Sequence, residues 1–208
     1  MQLKEIFLRI CLQFIQDQNF IENLWTEVER KYSEKGRYYH NFEHLESMFL
    51  ELDDVTAYIH DYNAIAFSVF YHDVIYNASS KSNEEKSQRF AEKHLQQIGA
   101  RPELIEKISQ QIIATKFHQK SKDPDINYLL DADLSILGKE TEKYKDYTQK
   151  IKKEYAIYPD FLYNPGRKKV LQHFLESESI FKTAYFQEKY EKQARKNIAS
   201  EIEYLNLN

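Results

Sequence analysis

Glycine and proline are scarce in this sequence, four of each among 208 residues. The long intervals between them carry Leu, Ile, Lys, Glu and Gln at three-to-four-residue spacing rather than in alternation, the pattern of helices. A lone cysteine, Cys11, excludes an internal disulfide; within ICLQFI it reads as a small buried hydrophobe, in keeping with a reducing, cytoplasmic setting. No long apolar run is present. The densest, AIAFSVFY, falls far short of the ~20 residues that cross a bilayer. The start, MQLKEIFLRICLQFIQDQ, interrupts its apolar residues with Lys4, Glu5 and Arg9 and has no small-residue cleavage site, so a secretory leader is not expected. Positive charge is not in excess either, with 29 basic against 33 acidic residues, and nucleic-acid binding is not expected. Phosphate-loop, dinucleotide-binding, paired-cysteine and serine or cysteine nucleophile motifs are all missing.

What is abundant is aromatic: 16 Tyr and 13 Phe within a hydrophobic fraction of 42%. An interior built on rings follows, and the length suits one domain spanning 1–208. Periodicity predicts helices over 3–16, 20–34, 41–60, 62–76, 83–98, 103–117, 125–137, 140–156, 166–176 and 179–205, the last one broken. Ser82 or Asn83 can cap the fifth, and Gly99 and Pro102 mark its end and the next beginning. Tyr144, Tyr147, Ile151 and Tyr155 form a core stripe, and Ala194, Ile198, Ile202 and Leu205 a seam beside Glu191 and Arg195. YPDFLYNPG (158–166) reads as a loop able to serve as a lid, followed by Arg167 in a solvated basic run.

Seven histidines are present, and four lie in YYHNFEH (38–44), FYHDVIY (70–76) and ATKFH (114–118). On one helix His40 and His44 stand a turn apart and point into one pocket. His72 follows Ile65 and Val69 toward the interior, with Asp73 about 100° further round. A carboxylate entering an apolar bundle is costly unless compensated, and a divalent cation compensates it. An isolated His-Asp pair is better explained by a hydrogen-bonded core histidine beside a surface carboxylate. Here His44 precedes the pair and LLDADLSILG follows it, giving two imidazoles and two carboxylates, a set suited to Mn²⁺, Fe²⁺ or Zn²⁺, with Mg²⁺ also admissible and one or two ions accommodated.

The pattern His44, His72-Asp73, Asp133, within 37–138, resembles the HD superfamily of metal-dependent phosphohydrolases. YHNFEH and DADLS look like motifs of cyclic-nucleotide phosphodiesterases, and GRYYHNFEHL, FYHDVIY, NEEKS, LLDADLSILG and ARKNIASE together are similar to a bacterial group of predicted HD phosphohydrolases. The resemblance implies an all-α, HD-domain-like helical bundle, with a metal-site core at about 37–138 and additional C-terminal helices over about 139–208. It implies His44, His72, Asp73 and Asp133 as ligands, Asp133 being preferred to Asp131 as the acid of Ala-Asp-Leu-Ser. Asp131 is then either a supporting partner or a helix-surface carboxylate.

Catalytic roles follow from the same resemblance. Asp73 orients the attacking water, and His40 donates a proton to the leaving oxygen unless it merely secures the helix start. Arg37 and Lys116 are expected to hold substrate phosphate. His118 is a second-metal or phosphate contact, or a histidine favoured by a helix C-terminus; Glu84 activates water or supports a ligand, or simply suits a helix N-terminus. His60, His94 and His173 lack an acidic motif at ligand spacing. The expected activity is metal-dependent hydrolysis of a phosphate ester of a nucleotide or related small metabolite. The alternatives are a di-iron HD-type oxygenase, which needs histidines beyond the basic four, and a non-catalytic helical module that binds a metal or nucleotide.

Overall fold

The computed structural model describes residues 3–207, and among them all regular structure is helical. In chain order the helices are α1 (Leu3–Cys11), α2 (Gln18–Tyr32), α3 (Phe42–Asp53), α4 (Tyr62–Tyr71), α5 (Asn83–Gln97), α6 (Pro102–Ala114), α7 (Pro124–Leu134), α8 (Thr141–Glu154), α9 (Asp160–Glu176), α10 (Ala184–Phe186) and α11 (Lys192–Leu207). Short 3₁₀ turns cover Thr56–Tyr58 and Ser135–Gly138, and a π turn, Gln187–Glu191, joins α10 to α11. The all-α expectation holds.

Helix α4 organises the rest. Its sequence, YNAIAFSVFY, is buried from Ala64 through Tyr71, so it has no polar face to offer solvent and must be surrounded on all sides. Asp61 fixes its start by accepting the Ala64 N–H at 3.0 Å, satisfying one of the four donors that a helix N-terminus leaves open. Helices α1, α3, α5, α6 and α7 pack around it. Phe70 stands edge-on to Phe7 at 5.3 Å and to Trp25 at 6.1 Å, the arrangement ring quadrupoles favour. One buried apolar cluster runs from Leu3 to Ile198 and includes Cys11.

The later helices are fastened to this core by polar contacts. Asn197 on α11 donates to Leu137 O (2.9 Å) and Lys139 O (2.8 Å). A Cβ at Gly138 would collide with Tyr190 of the π turn, so only glycine permits that approach. Asp131 is neither a surface carboxylate nor turned toward its neighbours in the acidic string. It is fully buried and accepts from Lys182 N (2.7 Å), Thr183 N (2.8 Å) and Thr183 Oγ1 (2.7 Å).

Several sequence-based boundaries need correction. The helix expected over 41–60 starts at Phe42 and stops at Asp53, that over 62–76 stops at Tyr71, and that over 125–137 gives way to a 3₁₀ turn after Leu134. The segment 158–166 is not a loop. From Asp160 onward it belongs to α9, with Pro159 in extended geometry as the cap residue and Asp160 favourably placed in the first turn. Pro165 removes the N–H that would reach Phe161 O, on a stretch where Phe161 and Leu162 are exposed. Tyr163 is buried against Tyr155, ring centroids 6.0 Å apart, which anchors this stretch. Arg167 is not solvated: it makes a two-pronged bond to Glu201 (2.8 and 3.1 Å) on α11 and reaches Tyr147 Oη at 3.3 Å.

Candidate metal centre

The His72-Asp73 doublet lies at the end of α4 rather than within it. His72 is the C-cap residue, still helical in φ and ψ, and its N–H donates to Ser68 O at 2.8 Å. The chain then turns away, and Arg37 secures the departure: Nη1 donates to Asp73 O (2.7 Å) and His40 O (3.1 Å), and Nη2 to Val74 O (2.9 Å). Five fixed N–H groups make a guanidinium apt for gathering carbonyls from two segments. The phosphate contact expected of Arg37 is thus replaced by a main-chain clamp, on a side chain only 3% exposed.

His40 likewise departs from the helical placement. Asn41 is the N-cap of α3 and accepts the Glu43 N–H at 2.9 Å, so His40 precedes the helix on which His44 sits. The two rings nonetheless face one cleft, 6.0 Å apart.

Four residues from three distant segments converge. His44 Nε2 is 3.3 Å from His72 Nε2 and 3.2 Å from Asp133 Oδ1; His72 Nε2 is 3.8 Å from Asp133 Oδ1 and 3.1 Å from Asp73 Oδ2. Ligands about 2.1 Å from a shared cation stand roughly 3.0–3.5 Å from one another in tetrahedral or octahedral arrangements. His44, His72 and Asp133 form a group able to hold a metal ion, all three donor atoms lying within 4.8 Å of one another, and Asp73 flanks it. A second feature fits this use: His72 Nδ1 lies 3.0 Å from Val69 O. Donation there holds a proton on Nδ1 and leaves Nε2 as the atom that faces the cluster, where a cation can take the place of a proton, the usual support of a metal-binding imidazole.

Electrostatics favour positive charge at this point. Burial opposes protonation of His72, but Asp73 beside it outweighs burial and raises the pKa to about 9. Burial alone dominates at His44 and lowers its pKa. Burial pushes both carboxylates upward, yet His72 and His40 bring Asp73 below the ordinary range, and His118 and His44 do the same for Asp133. Two ionised carboxylates under low-dielectric cover make a strong negative field.

Beside the cluster stands a second unit. His40 Nδ1 is 2.6 Å from Glu154 Oε2, while its Nε2 is 3.9 Å from Asp73 Oδ2. Glu154 Oε1 accepts the N–H groups of Tyr38, Tyr39 and His40 at 2.8, 2.7 and 3.0 Å, and Tyr76 Oη donates to Oε2 at 3.0 Å. The Tyr76 ring stacks on His40, centroids 4.1 Å apart. Sequence reasoning missed Glu154 and Tyr76. Glu154 did leave a trace: a carboxylate closing a lysine-rich helix at the end where the dipole disfavours it is out of place without a partner.

His118 joins the cluster, its Nε2 2.8 Å from Asp133 Oδ2. It does so from a left-handed backbone conformation, φ 50°, uncommon for a residue with a side chain and a mark of local strain. Lys116 and Glu84 answer each other instead, 3.9 Å apart, with Lys116 also paired to Glu85 and donating to Lys81 O. Of the histidines set aside, His94 is buried between Tyr71 Oη (3.1 Å) and Glu27 (3.4 Å).

Among the described residues no helix is long and apolar enough to cross a membrane. No family, curated protein or solved structure matches this chain.

Proposed function

We propose that this chain is a metal-dependent phosphohydrolase acting on a phosphate ester of a nucleotide or related small metabolite. The observation that carries the reading is the meeting of His44, His72, Asp73 and Asp133 beside a histidine, His40, whose far nitrogen is held by a buried carboxylate. The motif resemblance to HD phosphohydrolases points the same way. A divalent cation bound by His44, His72, Asp73 and Asp133 supplies Lewis-acid polarisation of a phosphoryl oxygen and acidification of water; Mn²⁺, Fe²⁺ and Zn²⁺ suit the donor set.

The protein's own groups do the rest. Asp73 orients the attacking water through its free carboxylate lone pairs. Glu154, ionised and held by three main-chain N–H groups, keeps a proton on His40 Nδ1, so that Nε2 faces the cleft. That nitrogen donates its proton to the leaving oxygen as negative charge develops there.

The test is metal analysis of the purified protein followed by a panel of nucleotides and phosphodiesters with added Mn²⁺. Asp73→Ala is expected to lose bound metal and hydrolysis together; retention of both would overturn the reading. One observation favours a second reading, a di-iron oxygenase: His118 offers a further imidazole at Asp133 Oδ2. Two equivalents of iron with dioxygen-dependent turnover, and no phosphate release, would select it.

A further inference from the structure

Tyr32 closes α2 and is almost completely buried, 2% exposed, yet its hydroxyl makes no hydrogen bond among the described residues. A buried polar group without a partner costs free energy, and few such groups persist in folded proteins without a use. The ring has a use in packing: Phe42 lies against it, centroids 5.5 Å apart, and the Arg37 guanidinium sits 5.0 Å from its centre. Neither contact engages the oxygen.

The same Arg37 holds the Asp73 carbonyl at 2.7 Å, so Tyr32 and Asp73 share one guanidinium. The main-chain N–H of Asp73 lies toward the phenol oxygen without closing to a hydrogen bond. Burial raises the Tyr32 pKa well above its ordinary value, and Asp73 is the charge that adds most to burial, ahead of Asp133. At neutral pH the phenol therefore keeps its hydrogen and remains a donor, set beside a candidate ligand.

Asp73 is the ligand that lacks a supporting donor. Both of its ion-pair contacts, to His72 Nε2 at 3.1 Å and His40 Nε2 at 3.9 Å, run through Oδ2. Asp133 divides its contacts, with His44 at Oδ1 and His118 at Oδ2. A carboxylate that ligates a metal is ordinarily steadied by a further hydrogen bond, and losing that support costs about 10–100-fold in metal affinity.

We propose that Tyr32 is a positioning residue for the metal centre: in the metal-loaded protein its Oη donates to the Asp73 carboxylate and fixes how that group meets the cation. The hydroxyl thereby gains the acceptor that the protein alone does not give it. This deepens the proposed function, and it rests on Asp73 as a ligand and not on hydrolysis.

Calorimetric titration of the full chain with Mn²⁺, wild type against Tyr32→Phe, tests this together with thermal unfolding of both proteins free of metal. Phenylalanine keeps the ring against Phe42 and Arg37 and breaks no hydrogen bond of the hydroxyl within the protein. Metal-free Tyr32→Phe is therefore expected to unfold no lower than wild type, while its Mn²⁺ affinity falls about tenfold. Unchanged affinity overturns the proposal. So does a loss of affinity accompanied by a lower metal-free unfolding temperature, which would trace the loss to packing. A wild-type chain that binds no Mn²⁺ sinks the metal centre and this role with it; the expected loss of affinity in a chain that hydrolyses no phosphate ester supports the role and sinks the hydrolase reading alone.

Discussion

Asp131 and Asp133 lie two residues apart on α7, chemically identical, yet one anchors the fold and the other belongs to the group able to hold a metal ion. At about 100° per residue their side chains leave the helix in nearly opposite directions. Asp131 meets donors that cannot change state, the N–H groups of Lys182 and Thr183 and one hydroxyl. Burial pushes its pKa up to about 6 against those bonds. Asp133 meets His44, His72 and His118, nitrogens that can exchange a proton for a cation. What separates the two carboxylates is the chemistry of their partners, since both are largely enclosed. Glu154 is a hybrid, with one oxygen on main-chain N–H groups and the other on an imidazole.

The sharpest way to break this comparison is to truncate each carboxylate. Asp133→Ala is expected to weaken Mn²⁺ binding by more than about 100-fold, beyond the effect of losing a supporting partner, with little change in thermal unfolding. Asp131→Ala is expected to do the reverse, costing about 2–4 kcal/mol because two buried N–H groups lose their acceptor, with metal affinity of the folded protein retained. Equal stability losses in both variants would erase the distinction.

Glu154→Gln probes the hybrid. Burial opposes protonation of His40, but Asp73 and Glu154 outweigh it and raise its pKa above 6.5. As a proton donor His40 then works below that raised value and fails as pH rises through it. Neutralising Glu154 lowers the value, so the alkaline limb of kcat is expected to move to lower pH, with kcat down about 100-fold at neutral pH and KM little changed. A pH profile that does not move would leave Glu154 a purely structural residue. The smallest effect is expected of Thr183→Val, which removes one of three donors to Asp131: about 1 kcal/mol in chemical denaturation, and no change in Mn²⁺ affinity.

How much of this was legible in the sequence depended on range. The helices were readable because an apolar stripe is a local signal, and the nearness of His44, His72 and Asp133 was expected because each sits in a compact string of the motif that the chain resembles. Helix ends were less so: past Tyr71 the chain leaves α4 held by Arg37, which gathers carbonyls from two segments, and by Ser87, which bonds Ile75 N and O. The stretch 158–166 looked like a loop because proline and glycine punctuate it, yet Tyr163 and a tolerant surface make it helix. Arg167 looked solvated because its neighbours Lys168 and Lys169 are basic; its partner, Glu201, lies on another helix. Glu154 was out of reach for the same reason, its partners at 38–40 and 76 being remote in the chain.

That remoteness ties the two ends of the chain to one another. The four ligand residues lie before position 139, but the carboxylate that fixes His40 comes from α8, beyond it. A chain cut between the two would present three adjacent amide groups with nothing to receive them and an imidazole free to turn. The two halves are therefore joined through one side chain: Glu154 of α8 holds the segment that carries His40 in place beside the candidate ligands.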